Sequence, residues 1–151
     1  MTTQERQYTV EDLLGMSDDG RRYELINGEI IEMPSSSKTN TVLAAWIITL
    51  LNTYVVPKGL GIVSSPDGGF QISEHNAYQP DAAFISKSRA DGLDGQLFPV
   101  APDLTVEIIS PSETVGAVND KIAGCFSPAH YRSGLSTQKH VWFMFTRLSI
   151  K

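Results

Sequence analysis

The sequence predicts an α/β domain of the α+β kind, with a mixed β-sheet flanked by helices. Three observations lead there. Asn27-Gly28 sits between two runs of strand formers, the segment from Lys38 to Val56 has helical apolar spacing, and short apolar runs separated by Gly- and Pro-rich turns follow it. At 151 residues, with 41% hydrophobic and 19% charged residues, the chain is long enough for one domain with a real core. We expect residues 1–151 to form that single domain.

The elements follow in order. Thr9 precedes Val10-Glu-Asp12, so a short helix with a threonine cap and an acidic first turn is expected, ending near Gly15. Tyr23 to Met33 reads as a hairpin around Asn27-Gly28, which supply the positive φ angles of a two-residue turn. Pro34-Ser-Ser-Ser37 is a loop and helix entry. From Lys38 to Val56, apolar residues at 42, 43, 46, 47, 50, 51 and 54 predict one helical face, stopped by Pro57 and Gly59. Leu60–Ser64 and Phe70–Ser73 read as strands around the turn Pro66-Asp-Gly-Gly69, and Asp81–Ser86 as another. Residues 87–102 are a polar connection. Leu104–Ser110 is a mostly apolar strand, followed by a turn at Pro111-Ser-Glu113 and a helix from about Thr114 to Ala123.

Composition removes several classes of function. A net charge of −5 argues against a strongly basic nucleic-acid binder. It leaves room for an acidic nuclease, because a bound metal restores positive charge where the phosphate sits. A single cysteine, Cys125, excludes an internal disulfide framework and a Cys-rich zinc site. The polar, acidic N-terminus predicts neither a secretory signal nor a transit peptide. The apolar stretch Val42–Val56 is too short and too interrupted, at Thr49, Asn52 and Thr53, to span a membrane. A cytoplasmic location is expected by default. The three histidines, 75, 130 and 140, form no ligand pair, and no glycine-rich phosphate loop, GxSxG elbow or HExxH is present.

The residues that can carry chemistry are acidic. Glu107 lies amid Leu104, Val106, Ile108 and Ile109, where a carboxylate is costly unless it meets a cation or strong donors. The alternatives are an edge-strand glutamate facing water or one paired with a core arginine. Three Pro-Asp pairs occur, at 66–67, 80–81 and 102–103. Asp67 is a turn residue before Gly68-Gly69. Asp103 shares the side-chain parity of Glu107 but sits at the strand entrance. Asp81 is followed by Ala-Ala-Phe-Ile, small and apolar enough for close approach to a neighbouring strand, and is favoured, with a capping or turn role as the alternative. Lys121 falls on the following helix, and Glu24 mid-strand is a further metal or water contact or else a solvent-side residue. Two carboxylates and a lysine on adjacent elements suit metal-dependent phosphodiester cleavage. The acids hold a divalent cation, and the ammonium stabilises charge or positions the attacking water.

With YELINGEIIEM, SSPDGGFQI, QPDAAFIS, VAPDLTVEIISPSET and a following helical lysine, the chain resembles the restriction-endonuclease-like (Uma-type) family of the PD-(D/E)XK nuclease superfamily, from about Thr9 to Ala123. The resemblance implies a restriction-endonuclease-like core, Asp81 and Glu107 as metal ligands for Mg²⁺ or Mn²⁺, Lys121 as a displaced catalytic lysine, and Glu24 as the acidic position of the first hairpin. It implies a metal-dependent DNA endonuclease, with DNA as substrate and homodimers common in the superfamily. The alternative is a catalytically silent binding or assembly module that keeps the fold.

From about residue 125 to 151 the chain departs from the family pattern, in which an "AG…VWV(I/V)(Y/D)P" strand follows the lysine helix. Read one nucleotide earlier from Ser127, Pro128–Gly134 can encode A-G-T-L-S-V-W and Leu135–Phe145 can encode V-I-Y-P-E-T-R-L-V-Y-V. We therefore expect the tail to be a frameshift product, natural or introduced in cloning. Sequencing the gene around codons 124–127 tests this, and an intact frame in close relatives would exclude it. The substitute run His140–Phe145 is itself apolar and strand-like, suited to the vacated place in the sheet or to pairing between chains.

Overall fold

The structure, a computed structural model, describes residues 6–90 and 94–108 together with the backbone of 132–134 and 141–145. Its elements run α1 (Val10–Leu14), β1 (Arg22–Ile26), β2 (Glu29–Met33), α2 (Lys38–Val55), β3 (Gly61–Ser64), β4 (Gly69–Ser73), β5 (Asn76–Tyr78), β6 (Ala82–Ser86), a 3₁₀ turn (Lys87–Arg89), β7 (Leu97–Phe98), β8 (Leu104–Ile108), β9 (Arg132–Gly134) and β10 (Val141–Phe145). The strands form two five-stranded sheets, in the orders β2-β1-β5-β4-β7 and β3-β6-β8-β10-β9. The first is mixed, because β4 and β7 run parallel. In the second every pairing is antiparallel.

Local chemistry accounts for the early elements. The Thr9 hydroxyl accepts from Asp12 N and the Asp12 carboxylate accepts from Thr9 N, a reciprocal cap that starts α1. Asn27 (φ 52°) and Gly28 (φ 82°) make the hairpin turn that joins β1 and β2. Ser37 caps α2 through Asn40 N, and Gly59 (φ 58°) lets the chain turn after the helix so that Leu60 N reaches the Val55 carbonyl.

The core is in two parts. Val10, Leu25 and Ala77 pack with Leu13, Ile30 and Leu97 under the first sheet. Phe70, Ala83 and Ile85 gather Ile62, Ile72, Phe98 and Val100 between the sheets, with Phe70 and Phe98 stacked at 4.8 Å. Helix α2 lies along β3, β6 and β8.

Three expectations need correction. The seven apolar positions of α2 do not share one buried face. Leu43, Ala44, Ile47, Leu51 and Val55 turn inward, whereas Val42, Trp46, Leu50 and Tyr54 are exposed. A helix apolar all round offers its sequence no polar face by which to set its rotation. The stretch after Ser73 contains a third partner in the first sheet, β5, too short to show alternation. The connection 87–102 is not wholly irregular, since it holds the 3₁₀ turn and β7. The apolar run of the tail takes a place in the second sheet: β10 pairs with β8, Val141 opposite Ile108 and Phe145 opposite Leu104. The helix expected from Thr114 to Ala123, and Lys121 with it, lies outside the described residues.

Candidate metal-binding site at the junction of the two sheets

The connector Tyr78-Gln79-Pro80-Asp81 carries the chain from β5 of the first sheet to β6 of the second. Pro80 has no N–H to offer a ladder and holds Gln79 in an extended conformation, so pairing in the first sheet ends there and begins afresh at Ala82. The functional candidates collect along these four residues.

Asp81 stands one residue before β6. Ala82 pairs with Val106, Ala83 with Thr105 and Phe84 with Leu104. Asp81 lies one step before the first of these pairs, at the end of β8 that carries Glu107. The Asp81 carboxylate oxygen Oδ2 accepts from Ile108 N at 2.7 Å, which ties it to the residue after Glu107. Glu107 is not on an edge. β8 lies between β6 and β10, and Trp142 is its register partner on the far side.

Tyr78, fully buried, donates its hydroxyl to Glu107 Oε1. This residue was not singled out by the sequence. Its partner lies 29 positions away, and an aromatic in a short strand looks like ordinary core. The one available signal was its place two residues before Pro80. Glu24, also fully buried, accepts from Gln79 N at 3.0 Å through Oε1, and Leu25 pairs with Ala77. It is therefore no solvent-side residue. Arg22 braces the same connector, donating Nε to Gln79 Oε1 and Nη2 to the Pro66 carbonyl.

Glu24, Tyr78, Asp81 and Glu107 are thus linked through one connector, with Asp81 tied by Ile108 N to the residue next to Glu107. Their oxygens are hard donors of the kind Mg²⁺ and Mn²⁺ accept, and Mg²⁺ commonly takes only one or two protein carboxylates and keeps several waters. Among the described residues no three His, Cys, Asp or Glu side chains form a metal-sized cluster. The donor set fits a divalent cation held by two carboxylates.

The rival aspartates have other occupations. Asp103 pairs with Arg89 at 2.6 Å and accepts from Ser86 N at 2.7 Å, while Arg89 also donates to the Ala101 carbonyl. That network clamps the end of β6 and the 3₁₀ turn to the entrance of β8. Asp67 sits in the turn between β3 and β4. No helix among the described residues is long and apolar enough to cross a membrane.

Comparison with known proteins agrees with this architecture. A protein from Anabaena variabilis ATCC 29413, whose crystal structure is described as that of a putative nuclease belonging to DUF820, superposes with a TM-score of 0.69 at 20% identity. The superposition covers 92% of this chain and 84% of that one, and it shows a shared fold. A search of curated proteins finds no match. The model of the Uma2 family, described as "Putative restriction endonuclease", matches residues 10–128, more than half of the chain. The protein belongs to the Uma2 family of restriction-endonuclease-like proteins.

Proposed function

We propose that this protein is a DNA endonuclease that hydrolyses phosphodiester bonds with Mg²⁺ or Mn²⁺. The observation that supports the reading is that Asp81 accepts from Ile108 N, the residue next to Glu107, while Glu107 accepts from the Tyr78 hydroxyl. In this reading Asp81 and Glu107 hold the metal. When bound, the ion supplies stabilisation of charge on the phosphoryl oxygens and a more acidic water.

The remaining work falls to the chain itself. Hydrogen bonds from Ile108 N and Tyr78 fix the two carboxylates in place before any ligand arrives, so little ordering is left for the moment of binding. Glu24 holds the backbone of Gln79, and through it the connector that carries both Tyr78 and Asp81. Lys121 supplies the ammonium that positions the attacking water or stabilises developing charge. With a net charge of −5, the chain depends on the cation for much of its attraction to phosphate.

The test is cleavage of supercoiled plasmid in Mg²⁺ and in Mn²⁺ by the unmodified chain, Glu107→Gln and Lys121→Ala. Metal-dependent nicking lost in both variants is expected. Equal nicking by the Glu107→Gln variant would refute the assignment.

A further inference from the structure

We infer that α2 is a self-association surface, on which a second copy of this chain packs helix against helix. The observation is a division of the outward face of α2 into two parallel rows. Val42, Trp46, Leu50 and Tyr54 form one, exposed by 50, 65, 71 and 59%. Thr41, Ala45, Thr49 and Thr53, all exposed, form the other. Both rows repeat every fourth residue, so a ridge of large apolar side chains lies beside a furrow of small ones.

Two such surfaces are self-complementary. Ridges spaced four residues apart fit the matching grooves of a facing helix at a crossing angle near −50°, the commonest helix packing in globular proteins. A two-fold axis then sets the ridge of each copy into the furrow of the other, the isologous contact that closed dimers use.

The furrow is also ready to leave water. The hydroxyls of Thr41, Thr49 and Thr53 already donate to the carbonyls of Ser37, Ala45 and Thr49, at 2.9, 2.8 and 2.8 Å. Burying them leaves no donor unmet. Residues 39–56 carry no charge, so neither row contains an ionised group to desolvate. Lys38 lies beyond the N-terminal end of the rows, and Lys58, whose Nζ sits 3.9 Å from the Tyr54 ring centroid, caps their C-terminal end with its charge in water at the rim of the contact.

The area suffices for a modest dimer. With aromatic side chains offering ~150–250 Å² each, the four exposed residues present roughly 500 Å² per copy. Both sides together approach about 1,000 Å², where specific interfaces begin. An interface at this lower limit of size suits a weak, reversible dimer, with Trp46 and Leu50 at its centre. The inference does not depend on the metal site.

Sedimentation equilibrium in reducing buffer, from about 1 to 200 µM, tests it together with the variants Leu50→Glu and Ala45→Glu. The expected result is a reversible dimer, weakened at least 100-fold by either substitution, with melting temperatures unchanged because both positions face water. In a Cys125→Ser background, Thr49→Cys should form an intermolecular disulfide, and this arm decides the matter if a glutamate variant fails to fold. A monomer throughout the range would overturn the inference, whether the row stays in water or residues 109–131 of the same chain cover it. So would a dimer indifferent to both glutamates and uncrosslinked through residue 49.

Discussion

Replacing Asp103 with alanine should destabilise the fold without touching metal binding, and its cost can be worked from the contacts. Asp103 is 14% exposed and Arg89 27%, so solvent screens the pair only weakly. The carboxylate takes hydrogen bonds from Arg89 Nη1 and Ser86 N. Asp103→Ala leaves a part-buried amide without an acceptor, at ~1–2 kcal/mol. It also leaves a guanidinium without its counter-charge, at a further ~1–2 kcal/mol, less than the 3–5 of a fully buried pair. The sum is about 3 kcal/mol, which at ~2–4 °C per kcal/mol for a chain of this size lowers Tm by roughly 6–12 °C. Asp103→Asn keeps an acceptor for Ser86 N and should lose about half as much. Glu32→Ala, which breaks the exposed Arg21–Glu32 pair, is the control and should cost under ~1 kcal/mol. Urea and thermal unfolding followed by circular dichroism measure all three. An Asp103→Ala variant within about 0.5 kcal/mol of the parent, the usual size of a surface substitution, would refute the clamp.

Three further outcomes are expected. Gly28→Ala should cost ~1–2 kcal/mol in urea unfolding, because φ is +82° there and a Cβ would sit 2.9 Å from Gln7 Cβ. The Thr9 backbone amide and hydroxyl, with Arg6 adding to them, hold the Asp12 carboxyl below its ordinary value of 3.8, so this cap stabilises the fold above that value and is lost as pH falls through the lowered one. Thr9→Ala should therefore melt earlier than the parent at pH 7, with the difference shrinking in the acid limb of a Tm–pH profile. Tyr78→Phe should weaken Mn²⁺ binding several-fold and cost ~1–2 kcal/mol of stability, since a carboxylate loses the buried donor that orients it; calorimetry and thermal unfolding measure the two effects separately.

Local signals in the sequence proved legible where the structure is itself local. Thr9 and Asp12 cap each other across three residues, and Asn27-Gly28 turns the hairpin within two. The extent of α2 was also readable, but its rotation was not, because apolar residues at 42, 46, 50 and 54 look no different from those at 43, 47 and 51. Glu107 was conspicuous as a charge in an apolar strand. What surrounds it, the hydroxyl of Tyr78 and the bond from Ile108 N to Asp81 beside it, depends on contacts across 27 to 29 residues. Asp81 was favoured over Asp103 for the small apolar residues that follow it, whereas the pairing of Asp103 with Arg89 emerges only once the 3₁₀ turn has folded back on β8. β5 was missed because three residues between His75 and Gln79 cannot display a period of two.

The central claim is that Asp81 and Glu107 together hold a divalent cation. Isothermal titration with Mn²⁺, run on the unmodified chain, Asp81→Ala and Asp81→Asn, tests it most directly, with circular dichroism to confirm that each variant is folded. The account predicts stoichiometric binding to the unmodified chain and its loss in both folded variants. Binding that survives in them unchanged, or no binding to the unmodified chain at all, would contradict it.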